Sequence, residues 1–319
     1  MKDRVIIITG PTASGKSDIA IDLALKLDAE IISSDSQQIY KYMNIGTNKV
    51  SIDELQKVKH HMIDIIEADE DYSVEEFSKQ ARRIISDINK RNKIAILTGG
   101  TGFYIDSILF NYNYGAGKKD LEYRKKLENL AKENGNEFIY NLLMDIDPVT
   151  AKKYHPNERN RIIRNLEIYK KTREKPSEVK KGNNKINDQI DFFIVTINYK
   201  DRQKLYEKIN KRVKLMINEG LVEETQNLVQ KYNLDKYSKS LKAIGYKEAY
   251  SYLQGEISLE KLEYDIAINT RHYAKRQITW MKKYNKFDNS MLVFREDFKD
   301  KNSISNRIID QLKRLNFEI

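Results

Sequence analysis

Residues 10–17 read Gly10-Pro11-Thr12-Ala13-Ser14-Gly15-Lys16-Ser17, a full match to the pattern G-x-x-x-x-G-K-[ST], and no other stretch restricts the fold as strongly. The pattern requires a buried strand before it and a helix after it. Val5-Ile6-Ile7-Ile8-Thr9 supplies the strand, and residues 14–27, with Ile19, Leu23 and Leu27 at helical spacing, supply the helix. The glycines let the backbone wrap around phosphate oxygens while the loop amides and the helix N-terminus point at the anion. Lys16 is then placed to neutralise a bridging or terminal phosphate, and the Ser17 hydroxyl to ligate Mg²⁺. The chain is therefore expected to be α/β, with a P-loop NTPase-like parallel sheet flanked by helices, and to hold a diphosphate or triphosphate.

Further strand and helix signals alternate through the first third. Residues 30–34 read as a second strand, and Asp35 follows at its C-terminal end, where open α/β sheets place their ligands. A capping box, Ser73-Val74-Glu75-Glu76, opens a helix running to about residue 89, and residues 93–98 form the next apolar strand. Gly99-Gly100-Thr101-Gly102 ends that strand at the same edge, where glycines permit close backbone approach and Thr101 offers a hydroxyl. From residue 117 to 188 the sequence is charged and helix-forming, which predicts a helical insertion between core segments 1–116 and 189–319. Its tail, with Pro176, Gly182 and a run of Lys and Asn, predicts a mobile loop. A strand over 191–199 and a helix over 202–218, capped by Asp201, resume the core, and the remainder reads as mostly helical.

The absence of cysteine excludes disulfides, thiolate nucleophiles and cysteine-based metal clusters. No stretch approaches the ~20 apolar residues of a membrane-spanning helix, so a cytoplasmic location without membrane contact is expected. Lys+Arg 57 against Asp+Glu 47 gives a net charge of +10, compatible with a polyanionic partner. Arg271 and Lys275, like His272 and Arg276, stand four apart on one predicted helix and can track phosphates. Trp280 continues the Arg276 side and is expected to be core, and His60 and His61, which lack ligand spacing, are expected to be structural.

Taken in order, Gly10 to Ser17, Asp35 to Tyr40, Gly46-Thr47, His60-His61-Met62-Ile63-Asp64, Gly99 to Tyr104, Asp147-Pro148, His155-Pro156-Asn157 with Arg161 to Glu167, Gly245-Tyr246 and Lys275 to Trp280 form a colinear set. In that set the chain resembles the tRNA dimethylallyltransferase family over nearly its whole length. The resemblance implies transfer of a dimethylallyl group from dimethylallyl diphosphate to N6 of the adenosine just 3′ of a tRNA anticodon. By matching position, Asp35 is similar to the base that acts on the amine, Thr101 to the group that helps hold it, and Arg212 to a cation that assists Lys16 on the diphosphate. The tRNA-contacting segments of the family match Asp35, Ser36, Gln37 and Gln38, with Thr101. They also match Asn160, Arg161, Ile162, Ile163 and Arg164, and the stretch holding Lys242, Gly245 and Lys247. The implied partners are dimethylallyl diphosphate, Mg²⁺ and a tRNA anticodon stem-loop, met by a monomer with the insertion touching the RNA. Two other readings stay open at this point: a P-loop nucleotide kinase using Asp35 on a hydroxyl, and an adenylate isopentenyltransferase acting on free nucleotides.

Overall fold

The computed structural model describes residues 2–114, 120–183 and 185–319. By contact the chain divides into two compact units, Met1–Leu109 with Asp188–Ile319, and Phe110–Asn187. The boundary expected between 116 and 117 lies outside the described residues, and the one expected after 188 falls beside the break at Asn187.

The larger unit is built on six strands: β1 (Asp3–Thr9), β2 (Glu30–Ser33), β3 (His60–His61), β4 (Ala95–Gly99), β5 (Ile190–Asn198) and β6 (Ser290–Phe294). They pair in the order β3-β2-β4-β1-β5-β6, and every pairing is parallel. A parallel sheet covered on both faces must be apolar in both directions, which is why Val5, Ile6, Ile7 and Ile8 run consecutively and are all fully buried. Ile6 and Ile8 face a core completed by Ile19 and Leu23 of helix Lys16–Leu27 and by Ile304, Ile308 and Leu312 of helix Lys301–Arg314. Each such side chain contributes on the order of 1.5–3 kcal/mol of transfer free energy. Helix Val74–Lys90 begins on the expected capping box, with the Ser73 hydroxyl accepting from the Glu76 amide.

Several elements differ from the sequence expectation. The first helix begins at Lys16 rather than residue 14, because the Ser14 amide closes a turn onto the Pro11 carbonyl at 3.2 Å. Edge strand β3 is too short to show a period, and β6 lies in a stretch without clear alternation. A second core of the larger unit, remote from strand periodicity, gathers Ile209, Val213 and Met216 of helix Arg202–Asn218 with Leu262 and Ile266 of helix Leu259–Met281.

The smaller unit is helical, with Leu127, Ile139, Leu143, Ile162, Ile163 and Leu166 at its centre. Glu167 is fully buried there and held by Arg124 at 2.6 Å, since an unpaired carboxylate would be strongly destabilising. The first part of the 175–189 tail makes defined contacts. A short helix, Pro176–Val179, donates its Ser177 amide to the buried Asp147 carboxylate at 2.8 Å, and Lys180 Nζ donates to Asn165 at 2.6 Å. Asn184, within that tail, lies outside the described residues.

Candidate active site

Because β1, β2 and β4 are parallel, the loops leaving their C-terminal ends emerge along one edge of the sheet. The first is the P-loop, where Gly15 sits at φ 80°, a backbone state that a side chain disfavours, so that the helix can start at Lys16. The second carries Asp35 and the third Thr101. The last two are joined directly: Thr101 Oγ1 accepts from the Ser36 amide at 3.1 Å, and the Thr101 amide donates to the Ser34 carbonyl at 3.3 Å. Asp35 Oδ1 accepts from the Gln37 amide at 2.9 Å, which fixes its own turn. Asp35 lines the cavities that open on this edge.

Two adjoining cavities open on these loops. The first is lined by Lys16, Ser17, Asp35, Thr98 and Arg212, with His60 and Ile63 beyond them. The second, of about 290 Å³, is walled by Ile209, Val213, Met216 and Ile266, with Ser36, Gln37, Lys242 and Arg276 around it. Thr12, Asp35, Thr47, Arg212 and Tyr273 line both. The two spaces differ in chemistry: cations and hydroxyls define the first, aliphatic side chains the second.

Two buried cations, Lys16 and Arg212, set the first cavity apart. Burial pushes the Lys16 ammonium down to about 8, against the Asp35 carboxylate, and the nearby Arg212 charge lowers it further. Burial likewise brings Arg212 down to about 10, again opposed by Asp35. Arg212 Nη1 donates to Thr12 Oγ1 at 2.9 Å, while its buried Nε has no partner. Two desolvated cations and an unpartnered donor at a P-loop match what a diphosphate would satisfy. For Mg²⁺ the donor set also fits. Ser17 shares the cavity with Thr98, whose buried hydroxyl has no partner among the described residues. Among the described residues no cluster of three or more His, Cys, Asp or Glu stands ready for a metal.

The residues expected to meet RNA do not all converge. Gln38 turns inward, accepting from the Ser33 hydroxyl at 3.0 Å and donating to the Asn48 carbonyl at 3.2 Å. Lys242 and Arg276 line the second cavity, Lys247 and Lys275 are exposed, and Gly245 is buried. Arg271 is occupied elsewhere, donating to Asn210 Oδ1 at 2.7 Å and lying over the Tyr206 ring. In the smaller unit Ile162 and Ile163 are fully buried, so their side chains cannot touch RNA, and Arg164 turns to the Tyr114 carbonyl at 2.9 Å. Asn160 and Arg161 remain as the exposed side chains of that segment. Trp280 is 40% exposed rather than core, with its ring over Gly102. His61 binds the Glu30 carboxylate at 2.8 Å, whereas His60 reaches the first cavity, a placement that spacing does not reveal.

Sequence reasoning assigns no role to Tyr273, and it includes Gln277 only within the Lys275 to Trp280 stretch. They sit one turn apart on the inward face of helix Leu259–Met281, and the usable signal was a polar residue at a core position of an amphipathic pattern.

Comparison with known proteins gives concordant matches. The family model described as IPP transferase matches residues 38–284. The tRNA dimethylallyltransferase of Caldanaerobacter subterraneus subsp. tengcongensis is 45% identical over 98% of this chain and 98% of its own. That of a Thermoanaerobacter species is 44% identical over 99% of this chain and 100% of its own. Among solved structures, the tRNA delta(2)-isopentenylpyrophosphate transferase of Staphylococcus epidermidis superposes with a TM-score of 0.71 at 38% identity, covering 98% of this chain and 99% of its own. A eukaryotic dimethylallyltransferase acting on tRNA gives 0.81 at 30% identity, covering 99% of this chain and 81% of its own.

Proposed function

The chain belongs to the tRNA dimethylallyltransferase family and transfers a dimethylallyl group to tRNA; from that premise we propose how its two cavities divide the reaction. The donor is dimethylallyl diphosphate, held by the P-loop with Lys16, Arg212 and Ser17. The acceptor is N6 of the adenosine 3′ of the anticodon, presented from the second cavity. The observation that carries this reading is the placement of Asp35 at the junction, lining both spaces, with the cations on one side and the aliphatic wall on the other.

In the transfer the allylic C–O bond breaks and its electron pair leaves with the diphosphate, while the N6 lone pair forms the new C–N bond. Charge grows on the departing oxygens, where Lys16, Arg212 and the loop amides stabilise it. Mg²⁺, when bound, adds Lewis-acid neutralisation of the same oxygens. Adenine N6 is a weak nucleophile because its lone pair is delocalised into the ring. Asp35 accepts the N6 proton as the bond forms, and Thr101 holds the turn that aims it. The base must leave its stack to enter, at a cost of a few kcal/mol that is smaller in a loop than in a duplex. The exposed Lys242, Lys247, Lys275 and Arg276, with Asn160 and Arg161 on the smaller unit, are the proposed RNA contacts, and a cytoplasmic monomer is the proposed state. No helix of the described residues is long and apolar enough to cross a membrane.

The test is to incubate the protein with tRNA and dimethylallyl diphosphate, or with labelled ATP, and weigh the digested nucleosides. An adenosine heavier by one C5 unit, with ATP unconsumed, is expected. Phosphoryl transfer, or prenylation of free adenine nucleotides in place of tRNA, would contradict it.

A further inference from the structure

The two halves of the site lie on different loops, and one side chain bridges them. Gln277 Oε1 accepts from the Thr12 amide of the P-loop at 2.8 Å, and Gln277 Nε2 donates to the Gly100 carbonyl at 3.0 Å. Chemistry fixes this amide orientation, since a backbone N–H can only meet the oxygen and a carbonyl only the nitrogen. The side chain is 5% exposed, so both bonds form out of water, where losing either would strand a buried backbone group.

Each end continues into the machinery. On the donor side, Thr12 receives the Arg212 guanidinium at 2.9 Å. On the acceptor side, Gly100 precedes Thr101, which receives the Ser36 amide beside Asp35 at 3.1 Å. A side chain at residue 100 would push the bridging amide aside, because a Cβ there would lie 2.1 Å from Gln277 Nε2. That contact supplies a reason for the second glycine of the Gly99-Gly100 pair that phosphate binding does not. Gly10 and Gly15 belong to the P-loop, whereas Gly100 answers to a helix more than 150 residues away in sequence.

We propose that Gln277 is a positioning residue for the transfer, a bridge that sets the distance between the P-loop and the Thr101–Asp35 loops and hence between diphosphate and amine. Its amide borders the first cavity, but both of its hydrogen bonds go to protein backbone. It acts on alignment, to which in-line transfer is sensitive, since a displacement of about 1 Å can cost on the order of 10²-fold in rate. The inference rests on the proposed function, and its test separates the two.

Single-turnover transfer to an anticodon stem-loop RNA, at saturating dimethylallyl diphosphate, is compared for wild type, Gln277→Met and Gln277→Glu. Inorganic diphosphate and RNA affinities are measured alongside by calorimetry. Gln277→Met, which preserves length but loses both bonds, is expected to slow the bond-forming step ~10- to 100-fold while both affinities stay within about threefold. Gln277→Glu gives a signature that simple destabilisation would not. As the neutral acid it can accept from Thr12 and donate to Gly100, and as the carboxylate it can only accept. Its rate relative to wild type should therefore rise as pH falls through the pKa of the introduced carboxyl, and this ratio carries the test if the Met variant does not fold. A Met variant within twofold of wild type at saturation, a loss confined to KM, or a pH-flat Glu ratio would each overturn the bridge. Failure of the wild type itself to add a C5 unit would overturn the proposed function, and the bridge with it.

Discussion

The P-loop and the acceptor half of the site stand at the same edge of the sheet, yet they are encoded in opposite ways. The P-loop is a contiguous octapeptide whose shape comes from its own glycines and from the strand and helix that flank it. The half proposed for the acceptor is assembled from the Asp35 turn, the Thr101 loop, helix Arg202–Asn218, the Lys242 segment and helix Leu259–Met281. Phosphate can be gripped by backbone amides, which any sequence with the right turns provides. A base and an allylic chain need a walled cavity and a placed carboxylate, which only long-range packing supplies.

That contrast governs how the site should fail. Asp35→Asn retains size and some hydrogen bonding but cannot take a proton as a carboxylate. It should lower single-turnover transfer ~10²- to 10⁴-fold, the largest effect expected of any single change here. Near-normal transfer by this variant would assign proton removal elsewhere.

On the donor side, Lys16→Ala should slow transfer ~10²- to 10³-fold and weaken diphosphate binding as well, since it removes a charge aimed at the leaving group. The pH dependence sharpens the point. Burial lowers Lys16 to about 8 in the free protein, so the binding-competent cation is present below that pH and lost above it. Affinity for inorganic diphosphate should fall as pH rises past about 8, and a titration series in which Lys16→Ala shows the same fall would remove Lys16 as its source.

RNA binding should separate the exposed cations from the inward ones. Each phosphate contact contributes ~0.7 to 0.9 to the slope of log affinity against log salt. Arg276→Ala or Lys275→Ala should lower the slope by about one contact, whereas Arg271→Ala, whose guanidinium is held by Asn210, should lower it less. Equal losses at all three positions would show that Arg271 leaves its partner on binding.

The smallest expected effect lies away from the edge altogether. Glu30, 4% exposed, is held down to about 2 by the Arg91 guanidinium first and by His61 as well. A depressed carboxyl contributes stability that is present above its unfolded value near 4.5 and lost as pH falls toward 2. Glu30→Gln should cost about 1.5–3 kcal/mol near neutral pH, and less in acid, with transfer at saturation unchanged. Equal destabilisation at every pH would deny the ion pair its role.

Legibility follows the same division. Val5 to Thr9, the capping box at Ser73 and the P-loop were readable because each is specified by neighbours within about a dozen residues of sequence. Asp35 was readable only as a residue at a strand end, and the local alternative, a turn aspartate, is also present in its bond to the Gln37 amide. Ile162 and Ile163 illustrate the limit of matching by segment: the stretch aligns with RNA-contacting sequence, but helical geometry turns those two into the core. Gln277, Tyr273 and His60 reach the cavities through the tertiary fold, and β3 and β6 are too short or too irregular to announce themselves. The family resemblance covers His60 and Gln277 by stretch, but not Tyr273 or β6.

The division of labour between Lys16 and Asp35 is tested most directly by calorimetric titration of inorganic diphosphate, with Mg²⁺ present, into wild type, Lys16→Ala and Asp35→Asn. Wild type and Asp35→Asn should bind alike, and Lys16→Ala should bind at least ~10-fold more weakly, the loss expected of a desolvated charge-assisted contact. If Asp35→Asn weakened binding as much as Lys16→Ala, Asp35 would belong to the diphosphate and its metal, and the amine would have to find another base.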